Sequence, residues 1–199
     1  MEANFLTFGY LFLRLAPFIL VSFFCLLSIF NQDFKGIVYL VGLLFACFVN
    51  MVAGKMLDFE EPDGKNAVCN MLTIGQEEIS SMPLSQTVFG YTFFYLAYVL
   101  MKHKITSQNI PTMVFFPLLI FFDFIWNISN SCYNVWALFT SLVIGGVIGV
   151  IWAAIILSVK SPGLLYFMGG GTNNEVCSKP SKQTFKCNVY KNGKLISKM

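Results

Sequence analysis

Apolar residues fall into five long blocks, at about 5–30, 36–54, 83–101, 111–126 and 135–159, separated by shorter polar intervals. Each block approaches the roughly 20 residues a helix needs to cross the hydrocarbon core of a bilayer, and the fourth is the shortest. In lipid, runs of this kind satisfy all their backbone groups only as helices. Pro83 and Pro111 open the third and fourth blocks, where a missing N–H costs a helix nothing. Arg14 and Pro17 interrupt the first. The pattern predicts an all-α integral membrane domain over 1–160 with five transmembrane helices.

The pattern breaks after the fifth block. Ser161-Pro162-Gly163 and Gly169-Gly170-Gly171 read as chain breaks, and a basic segment follows with Lys179, Lys182, Lys186, Lys191, Lys194 and Lys198. Within it, Asn192-Gly193 stands between two short strand-like runs, which predicts a β-hairpin at about 185–196. A lone hairpin is marginal in water. The expectation is a tail, 161–199, that docks on anionic headgroups or on a protein partner.

Composition agrees with a membrane domain: 56% of residues are hydrophobic, 12% are charged, and 22 are Phe. Soluble domains carry roughly twice that share of charge. A net charge of +3 gives no argument for a nucleic-acid partner. The six Cys form no C-x-x-C pair and His103 is the only histidine, so neither a zinc site nor another cofactor is expected. The first apolar run is too long for a cleavable signal and has no small-residue cleavage site.

Five spans place the termini on opposite sides of the membrane. Side A holds the longest polar interval, Asn50–Gln86, and the turn Asn127–Asn134; side B holds Asn31–Lys35, Lys102–Asn109 and the tail. Near the membrane side B carries Lys35, Lys102, Lys104 and Lys160, against Lys55 and Lys65 on side A. Acidic residues count little in the positive-inside rule, so side B is expected to be cytoplasmic and side A luminal or extracellular. A cytoplasmic tail argues against a Cys177–Cys187 disulfide.

Inside the spans, Arg14 either snorkels to side A or forms an intramembrane pair with Asp123 near the side A end of the fourth. Gly145, Gly146, Gly149 and Ala153 are small residues at close-packing spacing. Trp126, Tyr133 and Trp136 suit the aromatic belt on side A. Asn127-Ile128-Ser129 is a glycosylation sequon expected to lie too near the membrane for use.

Three side A segments carry a further pattern. Lys55 and Pro62 close the second span, with Phe59-Glu60-Glu61-Pro62 between them. Ser81-Met82-Pro83-Leu84-Ser85-Gln86 opens the third, and Ser129-Asn130 lead toward Trp136 and Thr140 or Ser141 in the fifth. In order and placement over residues 36–159 this resembles the PAP2-type family, the phosphatidic-acid phosphatase superfamily. That family's motifs are K-x(6)-R-P, P-S-G-H and S-R-x(5)-H-x(3)-D. There, Arg and Lys hold phosphate, one His attacks phosphorus, another protonates the leaving group, and Asp orients the nucleophile. The resemblance implies a PAP2-like bundle.

The chain departs from the family where chemistry is done. Lys55 to Pro62 is one residue short, Glu61 stands for a phosphate-binding Arg, and a carboxylate repels phosphate. Gln86 stands for the acid His, Asn130 for the second Arg, and Trp136 near the nucleophile. The expectation is therefore a non-catalytic PAP2-like membrane protein, structural or lipid- or partner-binding. The Phe-rich spans, Lys/Asn-rich tail and Asn-Gly hairpin also resemble membrane proteins of large DNA viruses. Two alternatives stand beside it. One is a phosphatase or phosphotransferase with a non-standard site, with Asp58, Glu60, Glu61 and Asp63 as weak hard-metal candidates. The other is a small transporter or channel, against which Arg14 and Asp123 are the only charges within the spans.

Overall fold

The computed structural model describes residues 5–57, 59, 69, 82–159, 164–166, 188–191 and 194–198; residues 5–11, 13, 14 and the two strands are described by their backbone alone. Five helices follow one another: α1 (Phe5–Asn31), α2 (Lys35–Leu57), α3 (Leu84–Lys102), α4 (Ile110–Ser129) and α5 (Val135–Ser158). Among the described residues, α2, α3, α4 and α5 are each long and apolar enough to cross a membrane, and Leu15–Asn31 of α1 is a shorter apolar helix. Large apolar side chains, among them Phe18, Phe23, Phe45, Phe48, Phe121, Phe122, Val143 and Ile151, stand exposed on the outer faces of α1, α2, α4 and α5. Water does not tolerate contiguous apolar surface on that scale, and lipid does. The helical domain is that of a multi-pass membrane protein.

The helix ends lie close to those expected, with one correction. The fourth helix is not the shortest: α4 has 20 residues and α3 has 19. The helix runs on past Trp126 to Ser129, and within that extension the Asn127 side chain donates to the Asp123 carbonyl at 2.7 Å.

α3 is the centre of the domain. In its most apolar window 67% of residues are buried, against 28–33% in α2, α4 and α5. Its polar side chains therefore face other helices and not lipid, and each needs a partner there. The Tyr39 and Thr92 hydroxyls are 2.6 Å apart, and the Tyr91 hydroxyl donates to the Tyr39 carbonyl at 3.1 Å. The Trp152 indole donates to the Val38 carbonyl at 3.0 Å, tying α5 to α2. A methyl placed on Gly42 would lie 2.2 Å from the Tyr91 hydroxyl, so glycine is what lets these three helices meet.

The most extensive contact is between α3 and α5. A methyl on Gly145 would lie 2.3 Å from the Thr87 carbonyl oxygen, and one on Gly149 would lie 2.5 Å from that of Tyr91. The pairing order, 87 with 145 and 91 with 149, makes the two helices parallel. α4 packs on α3 and runs antiparallel to it, with Phe116 against Phe93, Leu119 against Phe89, and Asp123 against Gln86. Ala16 of α1 joins the Phe89–Leu119 cluster.

α1, α3 and α4 end alike. At Gln32, Lys104 and Ser131 the backbone turns left-handed, with φ of 52°, 56° and 53°. The next N–H then reaches back to Ser28, Leu100 and Asn127 carbonyls at 3.1, 3.1 and 2.9 Å. This closes the last turn as glycine does elsewhere, at a steric cost the short connections impose. On side B, Ser28 ties the first turn: its hydroxyl donates to Asp33 Oδ1 at 2.8 Å and accepts from the Gly36 N–H at 2.9 Å. Desolvation raises the Asp33 carboxyl, but the Ser28 hydroxyl and the Lys35 side chain, N–H and charge outweigh it, and the group lies below its ordinary value.

After α5 the chain turns back into the domain. Leu165 and Tyr166 are buried, and the Tyr166 hydroxyl donates to the Phe24 carbonyl while its ring lies 4.7 Å from that of Phe24. The first compact unit accordingly extends to Phe167, past the boundary at 160 that the apolar pattern suggests. The second, Met168–Met199, contains an antiparallel hairpin of β1 (Asn188–Lys191) and β2 (Lys194–Lys198), with an irregularity between Val189 and Tyr190. The second strand runs two residues beyond the expected end at 196.

Candidate functional site

The side A ends of α3 and α4 hold the domain's main buried polar cluster. Gln86 sits in the first turn of α3 and is fully buried. Its Nε2 donates to Asp123 Oδ2 at 2.8 Å and to the Ile120 carbonyl at 3.3 Å. The Ser85 hydroxyl donates to the same Asp123 oxygen at 3.0 Å. Asp123 is 2% exposed, so its carboxylate is held among donors and not in water. One residue on, the Thr87 hydroxyl lies 3.4 Å from the Ser141 carbonyl of α5. Both amide hydrogens of Gln86 are thus spent on helix-to-helix bonds.

Several polar atoms in this region have no such use. Asn50 Oδ1 and Nδ2, Gln86 Oε1, Asn127 Oδ1 and Ser141 Oγ are all buried without a hydrogen-bond partner among the described residues. An unpaired buried polar group costs about 1–3 kcal/mol.

A disulfide closes the region. Cys69, from the interval between α2 and α3, is bonded to Cys132 in the turn between α4 and α5, a separation of 63 residues. The two sulfurs pack with Trp126 and Tyr133 directly beyond Asn127. Sequence reading missed this bond, because Cys69 and Cys132 are merely two of six cysteines with no distinctive spacing. The available signal was that both lie on side A, where an oxidising compartment was expected.

The remaining positions of the PAP2-like pattern divide. Pro83 is buried at the start of α3 and Ser85, Gln86 and Ser141 face inward or partly so. Lys55 and Ser129 are exposed, Asn130 folds back to donate to the Trp126 carbonyl at 2.8 Å, and Trp136 is 68% exposed. Ala137, in the alternative register by one residue, is buried. Thus Gln86 and the side chain at 136 point in different directions. Asp58, Glu60, Glu61, Pro62 and Asp63 lie outside the described residues, as do the Arg14 side chain, Cys177 and Cys187. Among the described residues no three His, Cys, Asp or Glu side chains stand together as metal ligands would.

The sequon is sterically closed. Asn127 is fully buried, and its amide nitrogen, the atom that would carry a glycan, is bonded to the Asp123 carbonyl. Full-length protein made in a eukaryotic secretory pathway is expected to show no mobility shift on treatment with peptide N-glycosidase. A shift abolished by Asn127→Gln would show that this helix end is open during or after folding.

Comparisons with protein-family models, with curated proteins and with solved structures returned no match.

Proposed function

We propose that the chain is a non-catalytic membrane protein with a PAP2-like arrangement of five spans, acting as a structural or lipid- and partner-binding component. The observation that carries this reading is the state of Gln86. The position aligned with the family's proton donor is occupied by an amide whose two hydrogens hold α4 against α3. An amide transfers no proton near neutral pH, and this one is committed to packing. The outward set of Trp136 and the exposure of Lys55 support the same reading.

The side A interval and the turn after α4 belong, in this reading, to the luminal or extracellular face. The Cys69–Cys132 bond supports this orientation, since disulfides persist in oxidising compartments and are rare in the cytoplasm. The tail then lies in the cytoplasm, where its lysines suit anionic headgroups or an acidic partner surface. An Arg14–Asp123 pair belongs to the same proposal. α1 meets α3 and α4 through Ala16, two residues from Arg14, and Leu119, one turn from Asp123.

The test is a phosphate-release assay on the full chain purified in detergent, with phosphatidic acid as substrate. The expected result is release no faster than from detergent micelles alone, and the same for Lys55→Ala. Release well above that background, lost on Lys55→Ala, would overturn the reading in favour of a non-standard phosphatase.

A further inference from the structure

The unpaired polar atoms are not scattered. Asn50, Gln86, Asn127 and Ser141 come one each from α2, α3, α4 and α5, and all four side chains are 0% exposed. Gln86 lies in the first turn of α3 and Asn127 in the last turn of α4, both at the side A end, and Asn50 and Ser141 lie one turn or two deeper. Three of them lie near one level: Gln86 bonds the Asp123 carboxylate, Asn127 bonds the Asp123 carbonyl, and Thr87, next to Gln86, reaches the Ser141 carbonyl. Asn50 falls at the same level by register. α2 and α5 run antiparallel with Gly42 against Trp152, so eight residues along α2 the chain is opposite the turn containing Gly145, just beyond Ser141.

We infer that the side A ends of α2, α3, α4 and α5 enclose a polar chamber that admits water and other small hydrogen-bonding solutes. Five atoms offer bonds that no group among the described residues takes: amide oxygens on three helices, a hydroxyl, and one amide nitrogen. That set suits a small neutral molecule able to donate and accept, of which water is the least demanding. Toward side B the Tyr39, Tyr91 and Tyr166 hydroxyls and the Trp152 indole all have partners; among the described residues the unpaired atoms there, the Tyr95 hydroxyl and His103 Nε2, belong to a single chain segment. None of the five atoms is accessible from outside, so in this proposal a solute enters as the helix ends part beneath the Cys69–Cys132 bond and Trp126. This goes beyond the non-catalytic reading and holds whichever lipid or partner the protein serves.

Cysteine accessibility tests it. In the full chain, with Cys25, Cys47, Cys177 and Cys187 replaced by Ser and the disulfide kept, three variants are compared in proteoliposomes: Ser141→Cys, Asn50→Cys and Ala153→Cys. Ala153 lies on α5 about three turns deeper than Ser141 and is equally buried. The probe is 2-(trimethylammonium)ethyl methanethiosulfonate, which is water-soluble and does not cross lipid, supplied on both faces. The expected result is that the cysteines at 141 and 50 are modified at least about tenfold faster than that at 153. Equal, slow modification at all three positions would mean a dry polar layer that only packs helices, and would overturn the proposal. Asn50→Cys keeps the test decisive if Ser141→Cys disturbs the fold, because the two side chains come from different helices.

Discussion

Gly145→Ala is expected to lower the thermal unfolding temperature of the protein in detergent, although alanine is the better helix former. On propensity alone the change would stabilise an α-helix by about 1 kcal/mol. Packing reverses the sign. The added methyl would stand 2.3 Å from the Thr87 carbonyl oxygen, a backbone atom of the central helix that cannot rotate away. Relief requires α3 and α5 to separate along their whole contact, and overpacking of this kind costs about 1–3 kcal/mol. Gly149→Ala meets the Tyr91 carbonyl in the same way and is expected to behave alike. Gly146→Ala is the internal contrast: its methyl would meet the Phe94 ring, a side chain at the lipid-facing edge that has room to turn. Fluorescence-detected unfolding with size-exclusion chromatography reads the series. An unchanged or raised unfolding temperature for Gly145→Ala would mean that α3 and α5 do not approach as closely as described.

Removing the disulfide is expected to have the largest effect on stability. Cys69 and Cys132 close a loop of 63 residues, and the chain-entropy treatment of such a loop gives about 4 kcal/mol at room temperature. The double replacement Cys69→Ala and Cys132→Ala should lower the unfolding temperature strongly and loosen the cap that the two residues form with Trp126 and Tyr133. Alkylation of the denatured, unreduced protein should leave both cysteines unmodified, with reaction only after reduction. Two free thiols at these positions, or an unaltered unfolding temperature in the double variant, would remove the bond from the account. It would also remove its support for a luminal or extracellular side A.

The periodicity of the chain determined the helices. Five apolar blocks predict five helices, and the observed ends differ by at most three residues, because the membrane fixes how much apolar length a span requires. The small-residue stripe in the fifth block and the pairing of the two strands on either side of residues 192 and 193 were legible for similarly local reasons. Which helix stands in the middle was not legible. α3 is central because its Gln86, Thr87, Tyr91, Thr92 and Tyr95 find partners or close neighbours on several helices, and a residue list does not say which partners will be present. The helix ends at Gln32, Lys104 and Ser131 were equally hidden, since none carries the glycine that usually announces a left-handed cap.

The candidate site shows the same division. Sequence order placed Lys55, Gln86, Asn130 and Trp136 on one side of the membrane, which follows from counting spans. It did not determine where their side chains point. A helix turns by about 100° per residue, so a shift of one position separates exposed Trp136 from buried Ala137, and only packing against α3 selects the register. The Cys69–Cys132 bond and the Asn50, Gln86, Asn127 and Ser141 layer both join residues far apart in sequence. Each depends on antiparallel and parallel neighbours being brought to one depth, and that is a property of the assembled bundle alone.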